Sequence, residues 1–562
     1  MARSLPQCVD TVIIGNGPSA LILSYILHGH IPYYIGGHYD SILDAKLSKD
    51  PNLLHLTSDL YAHFLSSLRY STAALPVNTL LDTLIRPNAD TEINPKSCIE
   101  WRYEPDKAIS HVAIGDTQQV GGQWADNPVS ASADIGTLSY AEQLSLPGYS
   151  YADHLSEIER EDDADFVRPS RTEFADYLRR YPEAVGISDS VFTSTKVDDV
   201  YRTSGGFLIG SLGIRCKHLV LASGIFTVNI PPPPLLAPIA ELDSPEAPLL
   251  VVGSGFSAAD IIISASPTRR IVHIYQWAPD KRPSPLRGCH HSAYPEYATV
   301  YRQMKLAAIA SAKSRSARTP LPRRKSNANP FFSQRDWTLY EGLPNAEIIN
   351  VSASPSTSTA TVEICLTSGE IKVYEVGGLE YVVGRRGTLS FLSPSLQAEI
   401  LSPIPFDSAN PSQISGRTLR TKAESSLEVA EDVFITGSLT GDSLIRHAVG
   451  GCVFAAGRIL GAIPPTFLPT SPTTTSLSRA SSTPRSASPM SDGKSDSTDT
   501  SPVSRTAKSG LTTPGELTNG HADLHLDRRK LVKSVEVAAA SNRYWVDSGW
   551  WAGGLGPGRA DL

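Results

Sequence analysis

The chain has 562 residues, of which 19% are charged, and its formal net charge is −7. That length supports two or three domains with their own cores, and the charge balance excludes a general electrostatic attraction to nucleic acid or to an anionic membrane. The six cysteines, Cys8, Cys98, Cys216, Cys289, Cys365 and Cys452, form no Cys-x-x-Cys pair. Neither a zinc site nor a thioredoxin-type motif is indicated, no metal is expected, and the thiols read as reduced residues in a reducing compartment.

Residues 11–14 form an apolar or β-branched run that predicts a buried parallel strand. The turn Gly15-Asn16-Gly17-Pro18-Ser19-Ala20 follows, and then an apolar helix over residues 21–27. This is the order a dinucleotide site needs. Gly15 permits the tight turn, Gly17 lets backbone approach a pyrophosphate, and Ala20 lets helix and strand pack closely. The pyrophosphate rests on the helix N-terminus, where free N–H groups favour an anion. The run is broken by Gly15, Gly17 and Pro18 and is too short to cross a bilayer, and no signal peptide is expected ahead of it. The expectation is a soluble, cytoplasmic protein.

A short strand is expected over 33–35. In a dinucleotide fold an acid about 20 residues past the glycines bonds the ribose. That place holds Gly36-Gly37-His38, the nearest acids being Asp40 and Asp44, so the ribose contact is left unassigned. His38 reads as a surface loop residue. Residues 51–85 read as helical from their apolar spacing. A strand over 111–114 leads to Gly121-Gly122-Gln123-Trp124, which suits either backbone passing close to a flat ring or a turn beside a core Trp. An amphipathic helix is expected over 172–181, antiparallel strands within 191–214, and a buried strand over 217–224 bordering a cofactor cleft. The proline run 231–234 marks a boundary.

A second signature follows at once. Residues 249–252 are the strand, Gly253-Ser254-Gly255-Phe256-Ser257-Ala258 the turn, and 259–264 the helix. The next strand, 271–275, ends in Gln276 and Trp277, with Lys281 and Arg282 beyond. Cations in place of an acid suit a 2′-phosphate, hence NADPH rather than NADH. Residues 311–329 form a basic loop. A hairpin is expected over 362–374, and a buried strand over 379–384 returns the chain to the first domain.

The last folded element is a strand over 432–437, then Thr440-Gly441-Asp442 and a helix through residue 460. Asp442 is expected to accept from the ribityl hydroxyls of a flavin, and the helix N-terminus to face the flavin pyrimidine edge. Gly450 and Gly451 inside this helix cost about 1 kcal/mol each relative to Ala, which close helix–strand contact would justify. The whole reads as an α/β fold, a two-dinucleotide-binding-domain flavoprotein with a Rossmann-like FAD domain and an inserted NAD(P)H domain. Residues 1–240 and 391–465 form the FAD domain, and 246–390 the NADP domain. Residues 466–525, rich in Ser, Thr and Pro, are disordered, and 526–562 form a C-terminal helix and a Trp-containing tail.

Several separated motifs resemble the oxidative stress-induced growth inhibitor family, a branch of the flavin monooxygenase group. They are Gly15 to Ala20 with Leu23-Ser24-Tyr25, Leu84-Ile85-Arg86-Pro87, and Lys107-Ala108-Ile109 leading to Gly121-Gly122-Gln123-Trp124. They continue in Ser257-Ala258-Ala259-Asp260, Tyr294-Pro295-Glu296-Tyr297, and Leu439-Thr440-Gly441-Asp442 followed by Arg446 and Gly450-Gly451. The resemblance covers residues 8 to 462 and implies FAD binding and NADPH-dependent monooxygenase activity on a small molecule with O₂, linked in animals to growth and differentiation control. It implies cofactor contacts from Gly15, Gly17, Pro18, Ser19, Ala20, Gly122, Gln123, Trp124, Gly253, Gly255, Ser257, Ala258, Gly441 and Asp442. Gln123, Trp124 and Arg446 are candidates for the reacting centre, while His447 and His291 read as structural. Gly121 to Trp124 also resembles the Gly-Gly-Thr-Trp element of amine N-hydroxylases and Baeyer–Villiger enzymes. The Phe-x-Gly-x-x-x-His fingerprint of the latter is absent, which disfavours ketone-to-ester chemistry. An amine N-hydroxylase and a low-turnover regulatory flavoprotein with a partner on its 466–562 tail are the alternatives.

Overall fold

The computed structural model describes residues 4–56, 74–88, 95–127, 129, 131, 133–160, 167–314, 335–353, 358–402 and 412–461. Strand β1 (Cys8–Ile14) is buried from Thr11 onward and takes a parallel partner on each side, as an uninterrupted apolar run requires. Helix α1 (Pro18–Leu27) follows, with Pro18 at its first position, and it buries every residue from Ala20 to Leu27. Strand β2 (His30–Tyr34) pairs with β3 (Ile99–Tyr103), antiparallel and outside the main sheet. Between them lie α2 (Ser41–Leu47), a single turn at Leu53–His55, and α3 (Pro76–Ile85). The helical expectation for 51–85 therefore holds over Pro76–Ile85, its start carries only the single turn at Leu53–His55, and residues 57–73 lie outside the described residues.

The parallel strand beside β1 is β4 (His111–Ile114), in the register Thr11↔His111 to Ile14↔Ile114. Strand β5 (Val191–Phe192) pairs outside β4, parallel to it. Helix α4 (Arg171–Ala184) precedes β5 and starts at a reciprocal Ser170/Glu173 capping box. On the other side of β1 runs β6 (Ile214–Leu221), extended by the antiparallel hairpin Val200–Thr203 and Gly206–Ile209. After β6 the chain makes β7 (Val228–Asn229) and enters the second body.

That body is a four-stranded parallel sheet made of β8 (Leu249–Val252), β9 (Ile271–Tyr275), β10 (Tyr340–Pro344) and β11 (Gly378–Tyr381), in the order β10-β9-β8-β11. Leu249 and Val251 join one core with α5 (Phe256–Ser264) and α6 (Pro295–Ser314). Leu250 faces the opposite core, roofed by an antiparallel sheet of Glu347–Ala353, Ala360–Cys365 and Ile371–Val376. β11 thus belongs to the second sheet; the return to the first body is made by β12 (Arg385–Thr388), which pairs with β7. The first sheet continues with β13 (Val433–Ile435), parallel to β6 and edged by the antiparallel Glu428–Ala430, and the last helix is α7 (Ala448–Ile459).

Gly450 earns its place against a helix rather than a strand. A Cβ there would stand 2.3 Å from the Val77 carbonyl oxygen, so α3 crosses α7 at backbone contact. The next residue, Gly451, donates its N–H to Asn78 Oδ1 at 2.8 Å. All six cysteines are free, and Cys98, Cys216, Cys289 and Cys452 are buried. No helix among the described residues is long and apolar enough to cross a membrane.

Candidate functional site

Both glycine turns stand at the carboxyl ends of parallel strands, where open α/β sheets receive ligands. Gly15 has φ +128°, and a Cβ there would lie 2.4 Å from the Ala222 carbonyl oxygen. No side chain caps α1, and Leu21 N–H is the first to bond within the helix, to the Gly17 carbonyl. The Ser19 and Ala20 N–H groups have no hydrogen-bond partner among the described residues. A Cβ on Gly17 would meet only the Gly121 carbonyl oxygen, at 3.8 Å.

The structure brings the Gly121 to Trp124 turn onto this one. Gly121 N–H donates to the Asn16 carbonyl at 3.0 Å, and a Cβ on Gly122 would lie 3.2 Å from Gly17 Cα. Trp124 sets its ring edge-on to Phe174, 4.8 Å between centroids. Three buried polar atoms on this edge have no partner among the described residues: Gln123 Oε1, Ser223 Oγ just past β6, and Thr436 Oγ1 just past β13. Gly437 closes the same cradle, since its Cβ would fall 2.3 Å from Ser19 Oγ. An open glycine cradle, uncapped helix N–H groups and unpaired buried hydroxyl and amide atoms are what a phosphate-bearing, polar-edged dinucleotide fits.

Because β2 is not beside β1, the loop after Tyr34 is not the neighbour of the glycine turn. That loop is self-contained. Asp40 accepts from Ile42 N–H and Leu43 N–H, Asp44 accepts from Tyr34 Oη, and His38 is buried, its Nε2 3.0 Å from Thr83 Oγ1. His38 is therefore a packed residue and not a surface one. The strand beside β1 is β4, and it runs into Gly115 and the exposed Asp116. A Cβ on Gly115 would strike the Asn16 side chain, which bonds Thr117 Oγ1 at 2.8 Å. The sequence does not mark this meeting, because 101 residues separate Asn16 from Thr117. The signal was an apolar strand running straight into a second glycine turn.

Asp442 is held by several donors of the chain itself. It is 4% exposed, and its Oδ2 accepts from Leu75 N–H at 2.8 Å and Asn78 Nδ2 at 2.6 Å. Its Oδ1 accepts from Arg420 Nη1 at 2.6 Å. The carboxylate thus ties the turn at Gly441 (φ +92°) to the start of α3, and its donors are the chain's own. Arg446 is likewise buried, and its Nη2 lies 2.6 Å from Asp82 Oδ2, with Arg86 on Oδ1 of the same carboxylate. His447 lies beside this cluster, while His291 is exposed and turned to Ser292.

The second turn repeats the first. A Cβ on Gly253 (φ +155°) would lie 2.5 Å from the Val382 carbonyl oxygen, and Gly255 has only Pro285 at 4.0 Å. Ser257 and Ala258 head α5, their N–H groups without partners among the described residues. One residue that the sequence did not mark holds this turn. Burial pushes the His273 imidazole down to about 4, so it is neutral near pH 7. Its Nε2–H donates to the Gly253 carbonyl at 2.7 Å, and its Nδ1 accepts from Tyr340 Oη at 2.8 Å. Past β9, Lys281 and Arg282 are exposed. One turn into α5, Asp260 accepts from Tyr297 Oη at 2.8 Å, and burial raises its carboxyl to about 7.

The chain is similar to human oxidative stress-induced growth inhibitor 1, at 25% identity over 82% of this chain and 97% of that protein. Human oxidative stress-induced growth inhibitor 2 matches at 25% identity over 79% and 91%, and a Caenorhabditis elegans homolog of these inhibitors at 24% over 81% and 94%. The resemblance read from the motifs thus extends along most of both chains. No protein-family model matches. Among solved structures, a flavin-containing monooxygenase from Stenotrophomonas maltophilia aligns at TM-score 0.40 and 15% identity, over 81% of this chain and 98% of that one.

Proposed function

We propose that this protein is an FAD-dependent oxidoreductase that draws electrons from NADPH and transfers one oxygen atom of O₂ to a small molecule. The observation that carries the reading is the pairing of two glycine turns in one chain, each with an uncapped helix N-terminus, the first closed over by Gly121 to Trp124. Bound FAD supplies hydride acceptance and oxygen activation. Gly15, Gly17 and Pro18 shape the pyrophosphate cradle, and the Ser19 and Ala20 N–H groups bind its oxygens. Asp116, at the end of β4, is the acid for the adenosine ribose. Gly122, Gln123 and Trp124 cover the cofactor, Gln123 offering its unpaired amide oxygen to a ring N–H and Trp124 excluding water. Gly253, Gly255, Ser257 and Ala258 repeat the phosphate-binding role for NADPH, with His273 holding the turn. Asp442 positions Gly441 and the end of the cradle through α3.

The reading is tested by the visible spectrum of the purified protein. A flavin band that bleaches on anaerobic addition of NADPH and returns with air is expected; protein without flavin, or flavin that NADPH leaves oxidised, would sink it. Lys281 and Arg282 are read as the 2′-phosphate contacts, and charge-assisted bonds of this kind contribute about 1.5–3 kcal/mol. Replacing both with Ser is expected to raise the KM for NADPH roughly tenfold or more and leave that for NADH unchanged. Equal effects on both cofactors would count against the assignment.

A further inference from the structure

The second glycine turn has its carbonyls bonded inward. The Gly253 carbonyl accepts from His273 Nε2 at 2.7 Å, the Ser254 carbonyl from Ser284 Oγ at 2.7 Å, and the Gly255 carbonyl from Ala259 N–H at 3.2 Å. With its acceptors engaged by the protein, the turn presents N–H groups, as an anion cradle requires.

Ser254 does more than line this cradle. Its Oγ accepts from Gln276 N–H at 3.1 Å, while its carbonyl holds Ser284. Gln276 is the first residue past β9, and Ser284 caps the single turn Pro285–Gly288. One residue of the glycine turn therefore ties down both ends of the 276–284 loop. Ser254 and Ser284 are 4% and 7% exposed, so water competes little for these bonds. The loop between them is braced as well. Asn345, just past β10, accepts from Trp277 N–H at 2.7 Å and donates to the Trp277 carbonyl at 3.1 Å. The Ala278 carbonyl accepts from Lys281 N–H at 3.1 Å and Arg282 N–H at 2.7 Å, and Arg287 Nη1 donates to the Pro279 carbonyl at 3.0 Å.

On this fixed backbone the Lys281 and Arg282 side chains are exposed. Neither has an ion-pair partner among the described residues, and the loop's one carboxylate, Asp280, pairs with neither. A loop held this closely, with two unpaired cations beside a phosphate turn, is ordered in advance for an anion at a set distance from that turn.

We propose that Ser254 and Ser284 are positioning residues for cofactor choice. They fix the 276–284 loop to the phosphate turn, and so hold Lys281 and Arg282 for the adenosine 2′-phosphate of NADPH. This rests on the reading of the second turn as an NADPH site, and deepens it by naming what sets the preference over NADH.

The test is calorimetric titration of the full-length protein with adenosine 2′,5′-bisphosphate and with AMP, which differ only in the 2′-phosphate and need no flavin signal. The parent is expected to bind the bisphosphate at least tenfold tighter. Ser254→Ala and Ser284→Ala are each expected to reduce that preference roughly fivefold by weakening the bisphosphate, with AMP unchanged. In the Lys281→Ser/Arg282→Ser protein, where the cations are gone, the same alanine substitutions should change nothing further, a coupling that a general loosening of the fold does not give. Ser284→Thr keeps the hydroxyl and should keep the preference; it carries the test together with Ser254→Ala if Ser284→Ala is unfolded. Alanine variants that weaken both ligands equally, or that lower the melting temperature and spare both ligands, would overturn the proposal. So would an undiminished effect in the protein without the two cations. A parent that binds the two ligands alike removes the NADPH reading itself. A parent that prefers the bisphosphate, with alanine variants that match it, leaves that reading standing and overturns the positioning role alone.

Discussion

Gly17→Val is expected to purify as a folded protein without flavin. The backbone at Gly17, φ −81° and ψ −177°, is extended and suits a β-branched residue. A Cβ there meets nothing of the protein closer than 3.8 Å, so the fold does not resist it. The space it takes is the approach path of a pyrophosphate to the α1 N–H groups, and one or two carbon atoms there remove the contact. Gly15→Ala supplies the contrast. Its Cβ would stand 2.4 Å from the Ala222 carbonyl oxygen at φ +128°, so that variant should lose stability with or without cofactor. The flavin-to-protein absorbance ratio together with a melting curve separates the cases. A Gly17→Val protein as yellow as the parent refutes the assignment.

Asp442→Ala is expected to destabilise even the flavin-free protein by about 3 kcal/mol, the low end of the range for breaking a buried charge pair. The low end applies because Arg420 keeps Glu424, whose Oε1 lies 3.1 Å from Arg420 Nε. The Leu75 N–H and the Asn78 amide lose their acceptor in a buried setting, which adds to the cost. Were Asp442 chiefly a ribityl contact, the stripped protein would unfold at the same urea concentration as the parent and only flavin affinity would fall. Urea unfolding of both stripped proteins decides between the two roles.

These two residues show where the sequence could be read and where it could not. The turns at Gly15 and Gly253 were legible because everything that defines them is contiguous: an apolar strand, glycines spaced for close approach, and a helix that starts at once. The meeting of Gly17 with Gly122 was half legible. Gly121 to Trp124 looked like a ring-side or core turn, and only the fold shows its backbone touching the first turn. The protein partners of Asp442 are not legible, because a carboxylate after a Gly turn carries no mark of them. Those partners lie 367 residues back at Leu75 and 364 back at Asn78.

By itself the sequence determined two βα glycine turns, the order in which they occur, and cations rather than an acid near the end of the strand after the second turn. Each depends on local backbone geometry, which φ restrictions and apolar periodicity impose over a few residues. Tertiary structure alone decided that β4 and not β2 lies beside β1, which puts Asp116 rather than the loop after Tyr34 at the end of the neighbouring strand. It also decided that Asp442 is bonded to the start of α3. The physical reason is the same for both. Strand neighbours and buried ion pairs are set by which distant segments the closing core brings into contact, and that information is absent from any short stretch of chain.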